Sequence, residues 1–326
     1  MDWGLTILIY VLAAAGTLAL GLLFRWVDRK VTARVQWRKG PPLLQPVYDV
    51  IKLMGKESLM PVTARGTGFL LAPVVALAGS GVVAAILWWA VVVRDPARGF
   101  MGDLIVVLYL LAIPAIMTIA GAAASGNPHA SVGASREMKL LLSYELPLFL
   151  AILVAVAHCA TADPEVGWTF RLGGVMKAQA GWPVAFGSIS GTLALIIAIV
   201  CMQAKLGQVP FDLAEAECEI MSGVYVEYSG PSLAMFLMTR AMLLALVPLL
   251  LIAVFWGGLY TGSWWGYLTF LGKYVLLVAL VTLIRNTNPR LRIDQTLRFF
   301  WFRLTPAAIV ALILAVVGHA KGLSWL

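Results

Sequence analysis

Long apolar stretches alternate with short charged segments along the whole chain. Eight stretches of about 20 residues carry no charge in their interior, or a single one, and this is the length an α-helix needs to cross a hydrocarbon core of roughly 30 Å. They cover residues 4–24, 67–93, 104–124, 139–160, 184–205, 232–260, 264–285 and 304–320. The pattern predicts an all-α integral membrane protein, with about eight transmembrane helices in a single domain over residues 1–326.

A different periodicity follows the first apolar stretch. After a turn at residues 39–42, apolar side chains recur at helical spacing over residues 43–56, with Asp49 and Lys52 on the opposite side. A helix of this kind lies along the membrane surface. It is compatible with two roles, an interfacial anchor and the floor of a cavity beneath a bound partner.

Composition and charge agree with a membrane protein. The chain is 61% hydrophobic and 12% charged, with a mean hydropathy of +0.90, whereas soluble domains are typically about 45–50% apolar and about 25% charged. The chain has a net charge of +8, and 14 of its 24 Lys and Arg residues fall in two predicted loops, at residues 25–66 and 285–303. Because cytoplasmic loops are rich in Lys and Arg, both termini are predicted outside. Topology thus accounts for the charge, and nucleic-acid binding is disfavoured.

The predicted loop at residues 205–231 is unusual because it lies on the basic side and is acidic. Its carboxylates fall within sixteen residues: Asp212, Glu215, Glu217, Glu219 and Glu227. If Asp212 begins a short helix, Asp212, Glu215 and Glu219 share one face. Crowded carboxylates raise one another's pKa and could exchange protons near neutral pH. A solvated acidic face is the alternative, disfavoured because apolar residues between the carboxylates require burial.

Three predicted spans contain ionisable side chains well inside them: Glu145, Arg240 and Lys273. An intramembrane charge is costly and indicates a function. For Glu145 a proton relay is favoured over a structural ion pair, and the two cations must face the bundle interior or extend to the interface. The three cysteines and three histidines show no metal-ligand spacing. No metal or cofactor is therefore expected in this chain.

Seven segments of the chain together resemble a known family. They are residues 28–30, 36–46, 133–137, 143–145, 210–217, 227–230 and 289–294. The most specific reads Pro-Phe-Asp-Leu-Ala-Glu-Ala-Glu, at residues 210–217. Over residues 25–303 the chain resembles the H-subunit family of respiratory complex I and its hydrogenase relatives. This resemblance implies an eight-helix subunit at the joint between a hydrophilic electron-transfer arm and a membrane ion-pumping arm, with an acidic funnel open to the cytoplasm.

Two branches of that superfamily compete, quinone-reducing complex I and the group 4 energy-converting nickel–iron hydrogenases. Three departures from the complex I pattern favour the hydrogenases. The turn after Gly40 is shorter than in quinone enzymes, and residues 102–105 and 133–137 look like the hydrogenase branch, which includes formate hydrogenlyase membrane subunits. Lys205 and Arg240 occupy positions where complex I usually has glutamates.

The sequence is therefore interpreted as a non-catalytic membrane subunit that couples ferredoxin-linked proton reduction to H⁺ or Na⁺ translocation. The alternative is the quinone-site subunit of a complex I-like NADH/quinone oxidoreductase. An independent transporter would predict an inverted internal repeat, and the sequence contains no matching halves. The residues assigned to the ion pathway are Glu145, Lys205, Asp212, Glu215, Glu219, Glu227 and Arg240, and those assigned to partner docking are Arg25, Arg29, Arg34 and Arg38.

The resemblance also implies partners. These are hydrogenase-like large and small subunits carrying a nickel–iron centre and iron–sulfur clusters, antiporter-like membrane subunits, the lipid bilayer and, indirectly, ferredoxin. The expected location is the cytoplasmic membrane of a prokaryote. The transported ion and the electron donor stay open, because formate-linked, carbon-monoxide-linked and sulfur-reducing assemblies would use a similar subunit.

Overall fold

Helices are the only regular secondary structure in the residues that the computed structural model describes, which are 3–93, 102–162, 168–179, 183–259, 264–322 and 325. Within these ranges there is no β-strand, which confirms the predicted all-α class. Seven helical segments are long and apolar enough to cross a membrane, and one further apolar helix, Ile189–Lys205, is shorter.

Fourteen α-helices are present in the described ranges. In chain order they are α1 (Trp3–Val35), α2 (Gln45–Met54), α3 (Gly66–Val93), α4 (Asp103–Leu110), α5 (Ile113–Ala124), α6 (Pro128–Ala162), α7 (Leu172–Ala178), α8 (Val184–Gly187), α9 (Ile189–Lys205), α10 (Glu217–Ile220), α11 (Gly230–Phe255), α12 (Trp264–Thr287), α13 (Ile293–Phe299) and α14 (Thr305–Lys321). A 3₁₀ turn covers Gly223–Tyr225, and a π-helical turn at Phe300–Leu304 joins α13 to α14.

The first helix is longer than the apolar stretch that predicts it. It continues past residue 24 to Val35, so the predicted loop at 25–66 begins with helix. The helix ends at Val35, two residues before Trp37, which adopts a left-handed backbone with φ of 60°. Pro41 and Pro42, which have no backbone N–H, follow a few residues later. As a result, Arg25 and Arg29 lie on a rigid helix.

The predicted span at 184–205 is divided. Ser188 has an extended backbone, with φ of −147°, and separates α8 from α9. Its hydroxyl accepts a hydrogen bond from the Gly191 amide at 3.0 Å and so caps α9. The apolar helix that remains has 17 residues. Another predicted span, 232–260, ends at residue 260, which lies outside the described residues.

Helix α2 is the predicted amphipathic helix. Its Asp49 accepts a hydrogen bond from Arg29 of α1 at 2.8 Å. Burial opposes ionisation of Asp49, but the hydrogen bonds from Arg29 and Gln45 outweigh it and lower the pKa of this carboxyl. Apolar side chains just before the helix and along its other side are exposed: Leu44, Tyr48 and Ile51. The helix is therefore tied to α1 by charge and presents an apolar stripe outward.

Helix α11 is the centre of the bundle. Every residue from Ala241 to Phe255 is buried, and α1, α3, α9 and α12 pack around it. A Cβ added at Gly21 of α1 would lie 2.1 Å from the Ala241 carbonyl oxygen, so glycine permits this close approach. One turn later, Arg25 donates from Nη1 to the Leu237 carbonyl at 3.3 Å. The packing thus brings an arginine of α1 against the polar end of α11.

Candidate functional site

The acidic loop rests directly on helix α6. A Cβ at Gly133 would lie 2.9 Å from the Val224 amide nitrogen, and one at Gly223, whose φ is 50°, would lie 1.8 Å from the Ala214 carbonyl oxygen. These glycines let the loop backbone lie close to α6 and fold back on itself. The loop consequently covers the side of α6 that carries Glu137, one turn beyond Gly133.

The predicted shared face of Asp212, Glu215 and Glu219 is not formed. Residues 212–216 are not helical, and α10 begins only at Glu217. Each carboxylate instead binds a different arginine from another part of the chain: Asp212 with Arg290 at 2.8 Å, Glu215 with Arg240 at 2.6 Å and Glu219 with Arg136 at 2.5 Å. Separate cations relieve the repulsion that three carboxylates on one face would suffer, which explains the difference.

Glu215 and Arg240 form a bidentate pair. Nη2 and Nη1 of Arg240 donate to the two carboxylate oxygens at 2.6 and 2.8 Å. The guanidinium carbon also lies 5.5 Å from the ring centroid of Tyr225. Two parallel charged hydrogen bonds and a cation–π contact fix the Arg240 head group in one orientation.

A cavity of about 300 Å³, the arginine cavity, lies on one side of this pair. Its charged lining consists of Arg25, Arg29, Arg240, Arg285, Arg290, Asp28, Asp212 and Glu215. Arg285 is paired with the buried Asp28. Five arginines face three carboxylates, so the lining carries an excess of positive charge.

A smaller cavity of about 50 Å³, the inner cavity, lies on the other side of the pair. The two cavities share Asp212, Glu215 and Arg240, and the inner cavity adds Glu137, Lys205 and three residues with hydroxyl groups, Thr118, Tyr225 and Thr239. Burial, reinforced by the charge of Glu215, raises the pKa of Asp212 despite Arg290. Burial also raises the pKa of the Tyr225 phenol to about 12, so this group keeps its proton at neutral pH.

Lys205 and Glu145 form the second ion pair of the site. Their Nζ and Oε1 atoms lie 3.8 Å apart, and Nζ lies 5.2 Å from the ring centroid of Tyr144. The Lys205 side chain is only 3% exposed, whereas that of Glu145 is 38% exposed. Glu145 opens into a crevice of about 290 Å³, the lateral crevice, with an apolar lining that includes Tyr109 and Phe149. Lys205 lines both the inner cavity and the lateral crevice, so this pair separates them.

The other predicted pathway residues lie apart from these cavities. Glu227 accepts a hydrogen bond from Asn127, which precedes α6, at 2.5 Å. Glu219 is 58% exposed and binds Arg136 at the surface. The structure therefore brings Glu145, Lys205, Asp212, Glu215 and Arg240 together, and places the other two outside.

The predicted docking stripe on α1 is also divided. Arg25 and Arg29 turn inward and line the arginine cavity. Arg34 and Arg38 are exposed, beside an exposed Trp37. The difference arises because α1 continues as a helix through residue 35, so that residues four or five positions apart do not all face the same way.

Glu137 and Asp28 also line these cavities, and the sequence predicts no role for either. Glu137 precedes the predicted span at 139–160 and is flanked by Arg136 and Lys139, a pattern typical of solvated helix. Its position eight residues before Glu145 places the two carboxylates about 80° apart around α6, within the same half of the helix surface. Within the described residues, no group of three or more His, Cys, Asp and Glu side chains could hold a metal ion.

The chain is similar to membrane subunits of respiratory enzymes. A family model described as NADH dehydrogenase matches residues 6–316. The H subunit of the NADH-quinone oxidoreductase of Dehalococcoides mccartyi (strain CBDB1) is 31% identical over 96% of this chain and 87% of that protein. Its counterpart in Geobacillus kaustophilus (strain HTA426) is 31% identical over 94% of this chain and 93% of that protein.

A solved structure is similar over nearly the whole fold. It is a chain of the membrane-bound sulfane sulfur reductase, an archaeal respiratory membrane complex. The sequences are 30% identical, the TM-score is 0.79, and the match covers 95% of this chain and 99% of that one.

Proposed function

The chain belongs to the H-subunit family of NADH dehydrogenase, and from this premise we propose that it couples redox chemistry in a soluble arm to ion translocation in the membrane. It is a multi-pass membrane subunit of a complex I-like respiratory assembly. The proposed role is non-catalytic, with the nickel–iron centre and iron–sulfur clusters held by partner subunits.

One observation carries this proposal. The arginine cavity, the Glu215–Arg240 pair, the inner cavity, the Lys205–Glu145 pair and the lateral crevice follow one another without interruption. Neighbouring elements of this series share residues, so a change of charge at one element changes the electrostatic potential at the next. Unit charges about 4 Å apart interact by about 4 kcal/mol at an effective dielectric constant near 20. That energy is large enough to change the protonation of a neighbouring carboxylate.

The direction of coupling follows from the ends of the series. The arginine cavity lies at the end of the bundle that carries most of the cations, which we assign to the cytoplasmic side, with both termini outside. The lateral crevice is apolar and opens on the side of the bundle. We therefore propose that a soluble redox arm acts on the arginine cavity, and that antiporter-like membrane subunits receive the effect at Glu145.

Within the family, we propose the energy-converting hydrogenase branch. Lys205 and Arg240, at positions where complex I usually has glutamates, each bind a carboxylate of the pathway. The similar solved structure belongs to a membrane-bound sulfane sulfur reductase, so this fold is not restricted to NADH-quinone oxidoreductases.

A quinone-site subunit is the second candidate. The curated relatives described above are NADH-quinone oxidoreductase subunits. In addition, an apolar groove of about 390 Å³ between α1 and α12, lined by Phe24 and Val31 among others, could hold an isoprenoid chain. The two candidates differ in what accepts the electrons.

Purification of the intact complex separates these candidates. In this experiment an affinity tag is added to the chain and the complex is extracted in mild detergent. The subunits of the complex are then identified and its nickel content is measured. The hydrogenase branch predicts a nickel-containing large subunit and H₂ evolution from reduced ferredoxin, with no effect of quinone-site inhibitors. A nickel-free complex that reduces quinone and is tightly inhibited by a quinone analogue would establish the second candidate.

The exposed arginines at the end of α1 should bind the soluble arm. Arg34→Glu or Arg38→Glu is expected to release that arm from the membrane, more readily at high salt, because the contact is between opposite charges. Each variant should lower the affinity for the soluble arm at least about tenfold, because it removes a desolvated Arg–carboxylate pair from the contact. Pull-down of the soluble subunits at two salt concentrations measures this.

Lys321→Glu is the matched control for that experiment. Lys321 is an exposed cation at the last turn of α14, at the opposite end of the bundle. Its replacement should leave the soluble arm bound. Equal release by Lys321→Glu, or wild-type binding by both arginine variants, would contradict the docking assignment.

A further inference from the structure

Glu137 is a carboxylate that belongs to neither ion pair of the site. Its half-buried side chain lines the inner cavity, and it makes no hydrogen bond or ion pair with any described residue. The other two carboxylates of that cavity are paired, Glu215 with Arg240 and Asp212 with Arg290. Glu137 thus contributes the one uncompensated negative group among the described lining residues.

Charged and titratable groups from several elements lie near Glu137. They are Lys205 at the end of α9, Asp212 and Glu215 in the acidic loop, Tyr225 in the 3₁₀ turn, Arg240 on α11, and Tyr144 and Glu145 on α6 itself. The carboxylate of Glu137 is close enough to interact electrostatically with one cation from each ion pair, Arg240 and Lys205.

The inner cavity suits water. Its volume of about 50 Å³ exceeds the roughly 10–15 Å³ that one water molecule requires. Two buried polar atoms of its lining residues, Nζ of Lys205 and Oδ1 of Asp212, have no hydrogen-bond partner among the described residues. Buried polar groups are nearly always hydrogen-bonded, so water is the partner that this cavity can supply.

We propose that Glu137 carries a proton between the two ion pairs, an inference that rests on the proposed function, and that the ion it passes is H⁺ and not Na⁺. An O–H bond forms at the Glu137 carboxylate as one breaks in an adjacent neutral water of the inner cavity, and that water regains a proton at once from the water behind it, so that no separate cation rests in the cavity. The proton later returns to cavity water on the Lys205 side and goes to Glu145. One proton enters, one leaves, and no electron or other bond is involved.

The charge state of Glu137 also links the two pairs. As an anion, Glu137 competes with Glu215 for Arg240 and with Glu145 for Lys205. As a neutral acid, Glu137 no longer attracts these cations, so Arg240 binds only Glu215 and Lys205 binds only Glu145. Proton uptake at Glu137 therefore tightens both pairs, and proton release loosens them.

The surrounding cations exclude Na⁺ from this role. The Arg240 guanidinium is held in the cavity wall by two hydrogen bonds, and Lys205 is buried beside the same cavity. A sodium ion bound at Glu137 would be placed close to both fixed positive charges. A proton on Glu137 produces a neutral group and avoids that repulsion.

The test compares Glu137→Gln with Glu219→Gln in the purified complex, reconstituted in proteoliposomes and driven by reduced ferredoxin. Both changes convert a glutamate to its amide, but Glu219 is an exposed residue outside the cavities. Glu137→Gln should lower proton uptake per electron at least about tenfold, since the amide accepts no proton, and Glu219→Gln should keep it within about twofold. Glu137→Asp, which restores a carboxylate, should recover part of the loss.

A second measurement reports protonation without transport. Redox-induced infrared difference spectra of the wild-type complex should contain a carboxylic-acid C=O band that shifts in D₂O and is absent in Glu137→Gln. If the Glu137→Gln complex translocates protons like the wild type and its infrared band is unchanged, the proposed role of Glu137 is wrong, whereas the proposed function of the subunit is not affected. If the wild-type complex takes up ²²Na⁺ and Glu137→Gln abolishes that uptake, the ion passed by Glu137 is not H⁺. A wild-type complex that translocates no ion would overturn the proposed function, and this inference with it.

Discussion

Replacement of Glu145 by glutamine is expected to leave the complex assembled and to lower ion translocation per electron at least about tenfold. The amide keeps the volume of the side chain but neither carries a negative charge nor exchanges a proton. Lys205 then loses its carboxylate partner while its side chain is only 3% exposed. When both are measured together in proteoliposomes, ion translocation should decrease more than electron transfer does.

A double variant distinguishes the relay from a structural ion pair. Removing one partner of a buried pair leaves an uncompensated charge, at a typical cost of about 3–5 kcal/mol. Glu145→Gln with Lys205→Met removes that charge, so thermal stability should return toward wild type while translocation stays low. Recovery of translocation in the double variant would assign the pair a structural role only. Unimpaired translocation in Glu145→Gln would exclude Glu145 from the pathway.

The second large effect is expected at Glu215. Glu215→Gln removes the carboxylate that holds Arg240 by two hydrogen bonds and frees the guanidinium to turn toward Glu137. Losing a bidentate charged pair that separates the two cavities should lower coupled activity at least about tenfold, since charged hydrogen bonds each contribute about 1.5–3 kcal/mol. The measurement is H₂ evolution coupled to proton uptake in the reconstituted complex.

Glu219→Gln is the matched control in the same loop. Exposed ion pairs contribute only about 0–1 kcal/mol, so this variant should change coupled activity less than about twofold. Because Glu215 and Glu219 bind different arginines, the double variant should resemble Glu215→Gln alone. A strongly non-additive loss would instead support the shared acidic face that the sequence predicts and the structure lacks.

The helices of this protein could be predicted from sequence because their apolar character is continuous. The same contrast identified Glu145 and Arg240, since each is a charge in an otherwise apolar stretch. Their partners could not be predicted in this way. Lys205 is sixty residues from Glu145, and Glu215 lies in a loop whose course depends on tight packing against Gly133 of α6.

Local charge patterns were a poorer guide than apolar ones. The acidic loop predicts one helical face, but arginines from three other segments supply stronger partners than helical neighbours could. Glu137 was missed because Arg136 and Lys139 make its surroundings look solvated, whereas the loop covers only one side of that helix. Charge placement in this protein is determined by tertiary contacts.

The ratio of translocated protons to transferred electrons tests the central claim, that the two ion pairs of this subunit form one coupled path. It is measured in proteoliposomes for the wild type, Glu215→Gln, Glu145→Gln and the variant with both changes. One continuous path predicts that either single change nearly abolishes the ratio and that the second change adds no further loss. Independent, multiplicative losses, or a wild-type ratio in either single variant, would contradict a single path through this chain.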